Sequence, residues 1–286
     1  MNLSENSWRS LKRVTAPTAA LLGGMMLAIP AALADGVPKP WEIGMQAGVT
    51  PVSHYLESFF HELAIITTLI ALFVTVLLAY VCIRFNARRH PVPSTTTHNT
   101  ILEIVWTVVP VLILVAIAIP SFKLIFYMGE AQAQNPTMSL NVTAHQWYWT
   151  YAYPNQGNLT FDSNVIPDDK LKPGQPRLLS VDNRAVVPVD TTIRIFIRST
   201  DVIHSFYVPS LGVQEYAMPG HVNEAWMRIE KPGVYRGQCN QLCGVNHAFM
   251  PIVVQAVSKA DFAKWVQQAK KQFAGGGSAQ GLASAG

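Results

Sequence analysis

The chain is 286 residues long, half of them hydrophobic and only 13% charged, with a formal net charge of +4. That balance excludes an ordinary soluble globule, in which about a quarter of the residues are charged, and places part of the chain in lipid. It also excludes a nucleic-acid surface, because basic residues gather beside apolar runs: Arg9, Lys12 and Arg13 before the first, Arg84, Arg88 and Arg89 between two others.

In chain order, residues 1–34 have the pattern of a secretory signal: a basic start, the apolar stretch "AALLGGMMLAI", and Ala32 and Ala34 at the small positions of a cleavage site. The stretch is about 11 residues, short of the roughly 20 needed to span a bilayer, so cleavage after Ala34 is expected rather than an anchor. Residues 35–58 then form an N-terminal segment outside the membrane. Leu63 to Ile83 is 21 residues without a charge, and a second apolar run extends from Ile104 to Ile119. Together they predict a transmembrane helical hairpin over 59–127, with helices at about 61–84 and 101–126 and a loop at 85–100. The loop carries Arg88, Arg89 and His90 and no acid. It is therefore expected on the cytoplasmic side of a bacterial plasma membrane, with both termini periplasmic. Glu103 opens the second helix; "TILE" predicts a capping box with Thr100 as N-cap and Glu103 at the third helical position.

From 138 to 257 the pattern changes to short alternating runs broken by Pro, Gly and Asp-Asn, which predicts an all-β sandwich or barrel. In "HQWYWTYAY" the rings of Trp147, Trp149, Tyr151 and Tyr153 alternate along one face of a strand. "SKADFAKWVQQAKKQF" (258–273) has helical periodicity behind a Ser-x-x-Asp start, and 274–286 has the composition of a disordered tail.

The chemistry concentrates in "GQCNQLCGVNHAFMP", which spaces Cys239, Cys243, His247 and Met250 at intervals of four, four and three. These are soft and borderline ligands that suit copper and that hard cations avoid. A single-copper site of the cupredoxin kind uses two His, one Cys and a weak Met, mostly on one loop, with one His from farther upstream. His204, closing the run "TTIRIFIRS" and "TDVI", supplies it. The second cysteine allows two sulfurs to bridge two copper ions, each with one imidazole and one weak ligand: Met250 for one, the Gln241 backbone carbonyl for the other. Three plainer readings compete. A Cys239–Cys243 disulfide leaves both histidines without a purpose, structural zinc has no use for methionine, and core packing accounts for Phe249 and Met250 but not for the thiols.

On these residues, together with "HQWYWTYAYP", "FDSNVIP", "LLSVDNR", "DVIHSFYVPSLG", "MPGHVNE" and "GVYRGQC", the chain resembles subunit II of the cytochrome c oxidases of the haem-copper family, over about residues 40 to 257. The resemblance implies a two-helix transmembrane hairpin followed by an all-β cupredoxin-like domain holding dinuclear copper A. It implies electron transfer from cytochrome c to haem in subunit I, where oxygen is reduced to water and protons are translocated, with subunit III as a further partner. It also implies that Trp147 is the point of electron entry, that Glu103 stands at the mouth of a proton channel, and that Asp182 and Asp201 help to dock cytochrome c. Between residues 130 and 257, ten acids stand against nine bases, which gives no strong overall steering field.

Some positions depart from the family pattern. Gln241 stands where a Glu usually binds magnesium or manganese, and Tyr216 and His221 where Asp and Arg are typical; a neutral amide is a poor ligand for a hard dication, so that site is expected to be lost or rebuilt. Ala152 replaces a Glu that faces cytochrome c in many relatives. Two rival functions are a quinol-oxidase subunit II, which keeps the fold without copper ligands, and a membrane-tethered copper carrier, which needs a single exchangeable ion.

Overall fold

The computed structural model describes residues 36–130 and 134–273; the expected signal (1–34) and tail (274–286) lie outside them. Two helices, α1 (Pro51–Arg84) and α2 (Thr100–Gly129), are long and apolar enough to cross a membrane. Their side chains in the apolar windows are exposed, as lipid-facing surface must be in an isolated chain. At about 1.5 Å per residue, the 34 residues of α1 measure about 51 Å, well beyond the ~30 Å hydrocarbon core. The helix therefore starts ten residues earlier than the apolar run suggests. Its start is set by Thr50, whose hydroxyl accepts from Ser53 N while Ser53 Oγ accepts from Thr50 N, with Pro51 at the first helical position.

The cap of α2 also differs from expectation. Asn99, not Thr100, is the N-cap, its side chain accepting from Leu102 N, and Glu103 reaches back to accept from Asn99 N at 3.3 Å. The reciprocal closure survives, shifted by one residue, because Asn caps at least as well as Thr and leaves Thr100 free to enter the helix.

Ten strands follow: β1 (Met138–His145), β2 (Tyr148–Tyr153), β3 (Leu159–Ser163), β4 (Ala185–Pro188), β5 (Ile193–Ser199), β6 (His204–Val208), β7 (Val213–Ala217), β8 (Asn223–Met227), β9 (Gly233–Cys239) and β10 (Pro251–Val257). They form two five-stranded sheets, ordered β3-β2-β1-β5-β8 and β4-β10-β9-β6-β7, whose inner faces share one core. β1 with β5 and β10 with β4 are parallel; the other pairs are antiparallel. The pleat buries Trp149, Tyr151 and Tyr153 of β2 completely, which stabilises the domain by on the order of 2–3 kcal/mol per ring. Trp147 is not on that strand. It precedes β2 in the turn after β1, so the aromatic face has three members and Trp147 is only partly buried.

Helix α3 (Lys259–Phe273) is capped by Ser258, whose Oγ accepts from Asp261 N at 3.1 Å. It buries Phe262, Val266 and Ala269 against the domain, and the Phe273 ring stacks on Phe161 at 4.8 Å.

The β domain is fastened to the start of α1 and the end of α2, the ends away from the loop that joins them. Val49 N donates to Ser210 O, Thr50 Oγ1 to Leu211 O (2.8 Å) and Glu230 N to Val49 O. Trp226 Nε1 donates to Tyr127 O at 3.1 Å, while the Tyr127 ring contacts both Tyr55 and Trp226. One strand, β8, thus meets the last turn of α2 through an indole that is both hydrogen-bonded and packed.

Candidate metal centre

Strand register brings the expected ligands together. β6 begins at His204 and β9 ends at Cys239, and the two strands pair with Phe206 opposite Cys239 and Tyr207 opposite Gln238. β9 and β10 form an antiparallel pair with Gln238 opposite Pro251, so the 239–250 loop leaves and re-enters the sheet at one end. Met250 is wholly buried there, its carbonyl accepting from Cys239 N at 3.0 Å. The approach of β6 to β9 requires Gly237. A Cβ at that position would fall inside the van der Waals envelope of the Tyr207 carbonyl and within 2.9 Å of Val208 Cα.

Cys239 Sγ and Cys243 Sγ, both free thiols, lie 3.8 Å apart. Each has its own imidazole: His204 Nδ1 is 3.9 Å from Cys239 Sγ, and His247 Nδ1 is 3.5 Å from Cys243 Sγ. The Gln241 carbonyl oxygen is 3.3 Å from Cys239 Sγ. His204 and both cysteines are buried, while His247 is partly exposed at the rim. His204 and the two sulfurs lie within 4.8 Å of one another, His247 and the Gln241 carbonyl each touch one sulfur, and the buried Met250 closes the loop. Two sulfurs, each with its own imidazole, make a soft donor set that suits copper.

The electrostatics point the same way. Burial opposes charge on Cys239, but hydrogen bonds from His204, two backbone groups and His247 outweigh it and hold the thiol down at about 6. Burial, and next the Cys239 charge, push Cys243 up to about 12. Without metal the pair carries one negative charge; a cation is needed to remove the second proton. On His204, burial opposes protonation, yet the hydrogen bonds to Cys239 and Asp201 raise it overall.

Trp147 and Gln146 close over the thiol loop. Both donate to the Cys243 carbonyl, from Trp147 Nε1 at 3.2 Å and Gln146 Nε2 at 2.9 Å. Gly244, with φ +121°, lets them approach; a Cβ there would sit 3.0 Å from the indole. Trp149 lies beneath, edge-on to His204 with centroids 6.2 Å apart. Neither Gln146 nor Gly244 stands out in the sequence; the only hint is their place beside Trp147 and Cys243.

The remaining expected site residues lie apart from the thiols. Asp182 is exposed and accepts from Asn164 N and Asn183 N, each at 2.7 Å. Glu103 is at the start of α2. Asp201 turns inward onto His204 Nε2 at 2.8 Å. Tyr216 and His221 are exposed, as is a rim of Leu242, Val245 and Phe249 on the thiol loop. Ala152 points outward from β2, opposite to its buried neighbours Tyr151 and Tyr153.

Residues 38–124 match a family model described as the transmembrane domain of cytochrome c oxidase subunit II, and residues 138–257 match one described as the periplasmic domain of the same subunit. A probable cytochrome c oxidase subunit 2 of Rickettsia bellii is 49% identical over 239 residues, covering 84% of this chain and 88% of the relative. Cytochrome c oxidase subunit 2 of Oenothera berteroana is 45% identical over 240 residues, covering 82% and 92%. The crystal structure of the periplasmic domain of subunit II of cytochrome oxidase from Bradyrhizobium japonicum is 47% identical, covers 48% of this chain and 96% of that one, and has a TM-score of 0.46. With both segments matched in order and near-half identity along most of its length, the chain belongs to the cytochrome c oxidase subunit II family.

Proposed function

We propose that the chain is the electron-entry subunit of a cytochrome c oxidase and that its thiol pair holds two copper ions. The observation that carries this reading is the pair of free sulfurs 3.8 Å apart, each with its own imidazole nitrogen within 3.9 Å. When bound, such a copper pair supplies a one-electron carrier whose charge change is spread over two metals and two sulfurs. Cys239, Cys243, His204, His247, Met250 and the Gln241 carbonyl would hold it. Their burial keeps water away from the sulfurs, and the strand register fixes their positions before metal arrives.

Trp147 is the entry point. Its partly exposed indole faces the side of the thiol loop, and its N–H binds the carbonyl of a ligand residue, giving a short covalent and hydrogen-bonded route inward. Cytochrome c is the donor, with the exposed Asp182 contributing to its docking. Electrons leave towards haem in subunit I, and subunit III completes the assembly. The β domain and both termini face the periplasm of a bacterial plasma membrane, after cleavage of residues 1–34, and the Arg88–Arg89 loop faces the cytoplasm. Glu103, on that cytoplasmic side, serves as a proton-channel mouth in addition to its bond to Asn99 N. Gln241 lacks the carboxylate that a hard dication needs, so the magnesium site of relatives is absent here; stoichiometric, tightly held magnesium or manganese in the purified complex would refute that.

The full complement of sulfur and imidazole donors favours this reading over a quinol oxidase, and the burial of both thiols favours it over an exchangeable copper carrier. Copper analysis and EPR of the purified oxidase test it. Two coppers per chain sharing one unpaired electron are expected; a single ion, or an EPR-silent cuprous site in the oxidised complex, would overturn it.

A further inference from the structure

Asp201 was expected to be a docking charge, but its oxygens are already committed. Oδ1 lies 2.8 Å from His204 Nε2 and accepts from Val202 N at 2.6 Å and Ser199 Oγ at 3.2 Å; Oδ2 accepts from Gln146 N at 2.6 Å. The side chain is 29% exposed, whereas its histidine partner is fully buried.

We infer that Asp201 is a positioning residue of the metal centre, which holds His204 in the tautomer that can bind metal and ties that ligand to the turn carrying Trp147. A neutral imidazole has one N–H and one lone pair. In the neutral form that can bind metal, a carboxylate on Nε2 claims the one N–H and leaves the lone pair on Nδ1, the nitrogen that in the metal-free protein is hydrogen-bonded to Cys239. The same carboxylate grips the backbone N–H of Gln146, and Gln146 and Trp147 both reach the Cys243 carbonyl. A closed circuit results, running from His204 through Asp201 and the Gln146–Trp147 turn to the loop that bears the second thiol. Side chains on β6, the β1–β2 turn and the thiol loop thus fix one another. A docking charge would need none of these bonds and would gain from greater exposure.

The inference rests on the copper reading above, and variants of the whole oxidase separate the two. Asp201→Ala removes the acceptor, whereas Asp201→Asn removes the charge and the bond from Gln146 N but keeps an oxygen for His204. If Asp201 positions the ligand, Asp201→Ala weakens copper retention against a chelator about 10–100-fold, the usual effect of losing such a partner. Asp201→Asn should retain copper within a few-fold of wild type, shift the reduction potential of the centre upward, and leave donor KM unchanged at high salt. If Asp201→Ala fails to assemble, the potential and KM of Asp201→Asn decide. The inference is overturned if both variants keep wild-type copper, EPR spectrum and potential while raising donor KM equally at low salt only, the signature of a lost docking charge. Absence of a copper pair from the wild-type oxidase would instead defeat the underlying function.

Discussion

Gly237→Ala should damage the metal centre without touching a ligand. The new methyl would meet Val208 Cα at 2.9 Å and the Tyr207 carbonyl carbon at 2.8 Å. Nonbonded carbons settle at about 3.5–4.0 Å, so β6 and β9 must separate locally by at least ~0.7 Å, and by more to clear the Tyr207 carbonyl oxygen. Both neighbours are backbone, so no side-chain rotation relieves the contact. Tyr207 is three residues from His204, and Gly237 two from Cys239, so the separation acts on the 3.9 Å approach of Nδ1 to Sγ. Overpacking of this kind costs about 1–3 kcal/mol, which lowers the apparent Tm by roughly 2–4 °C per kcal/mol in a domain of this order of size. Thermal unfolding followed at the copper EPR signal should show a lower midpoint together with an altered spectrum in the unheated sample. An unchanged spectrum and Tm would refute the claim that close backbone approach at Gly237 sets the ligand geometry.

Three further outcomes are expected. In the metal-free chain, Cys239 has a folded pKa of about 6, below its ordinary value, so its contribution to stability is lost as pH falls through 6 and is complete above about 9; Cys243, raised to about 12, acts oppositely above 9. His204, raised against its burial by the bond to the same thiol, loses stability as pH rises and offsets this in the denaturant midpoint, so the thiolate itself is the readout. Its ultraviolet absorbance in the metal-free chain should grow as pH passes through about 6, for one thiol only, and absence of any thiolate below pH 9 would contradict the thiol arrangement. Trp147→Phe keeps a ring but loses the donor to Cys243 O. Stopped-flow oxidation of reduced cytochrome c should slow with the copper spectrum intact, and an unchanged rate would remove Trp147 from the entry route. Thr50→Ala strips the N-cap of α1 and its bond to Leu211 O, at a cost of about 1–2 kcal/mol. Proteolysis of the segment before α1 should accelerate, and equal resistance would show that the cap does not hold that junction.

What the sequence discloses and what it conceals follow from the range of the interactions involved. The ligands in the thiol loop were legible because their spacing lies within one connection, and His204 because it closes an alternating strand; β9 and β10 needed only to pair as neighbours. The apolar runs disclosed the parts of α1 and α2 that suit lipid but not the whole helices, since hydropathy reports the solvent of a segment, not its hydrogen bonding. The true start of α1 was written in Thr50, Pro51 and Ser53, ahead of residues polar enough to suggest a loop. Thr100 was expected as the cap of α2 and Asn99 takes that place, a one-residue difference that is beyond local propensity. The contacts of Asp201, Gln146, Gly237 and Gly244 were not legible for a different reason. A surface acid and a ligand-holding acid are the same letter, and a glycine records only that a backbone is unhindered. What approaches it, Tyr207 at Gly237 or Trp147 at Gly244, is decided by distant strands and turns. The proposed metal ligands can therefore be picked out by spacing alone, but the residues packed around them emerge only once β1, β6 and β9 are in register. Substitutions at those silent positions are accordingly the more severe test of the proposed centre, because removing a ligand would disable any metal site, whereas Gly237 and Asp201 matter only if this particular geometry is the one in use.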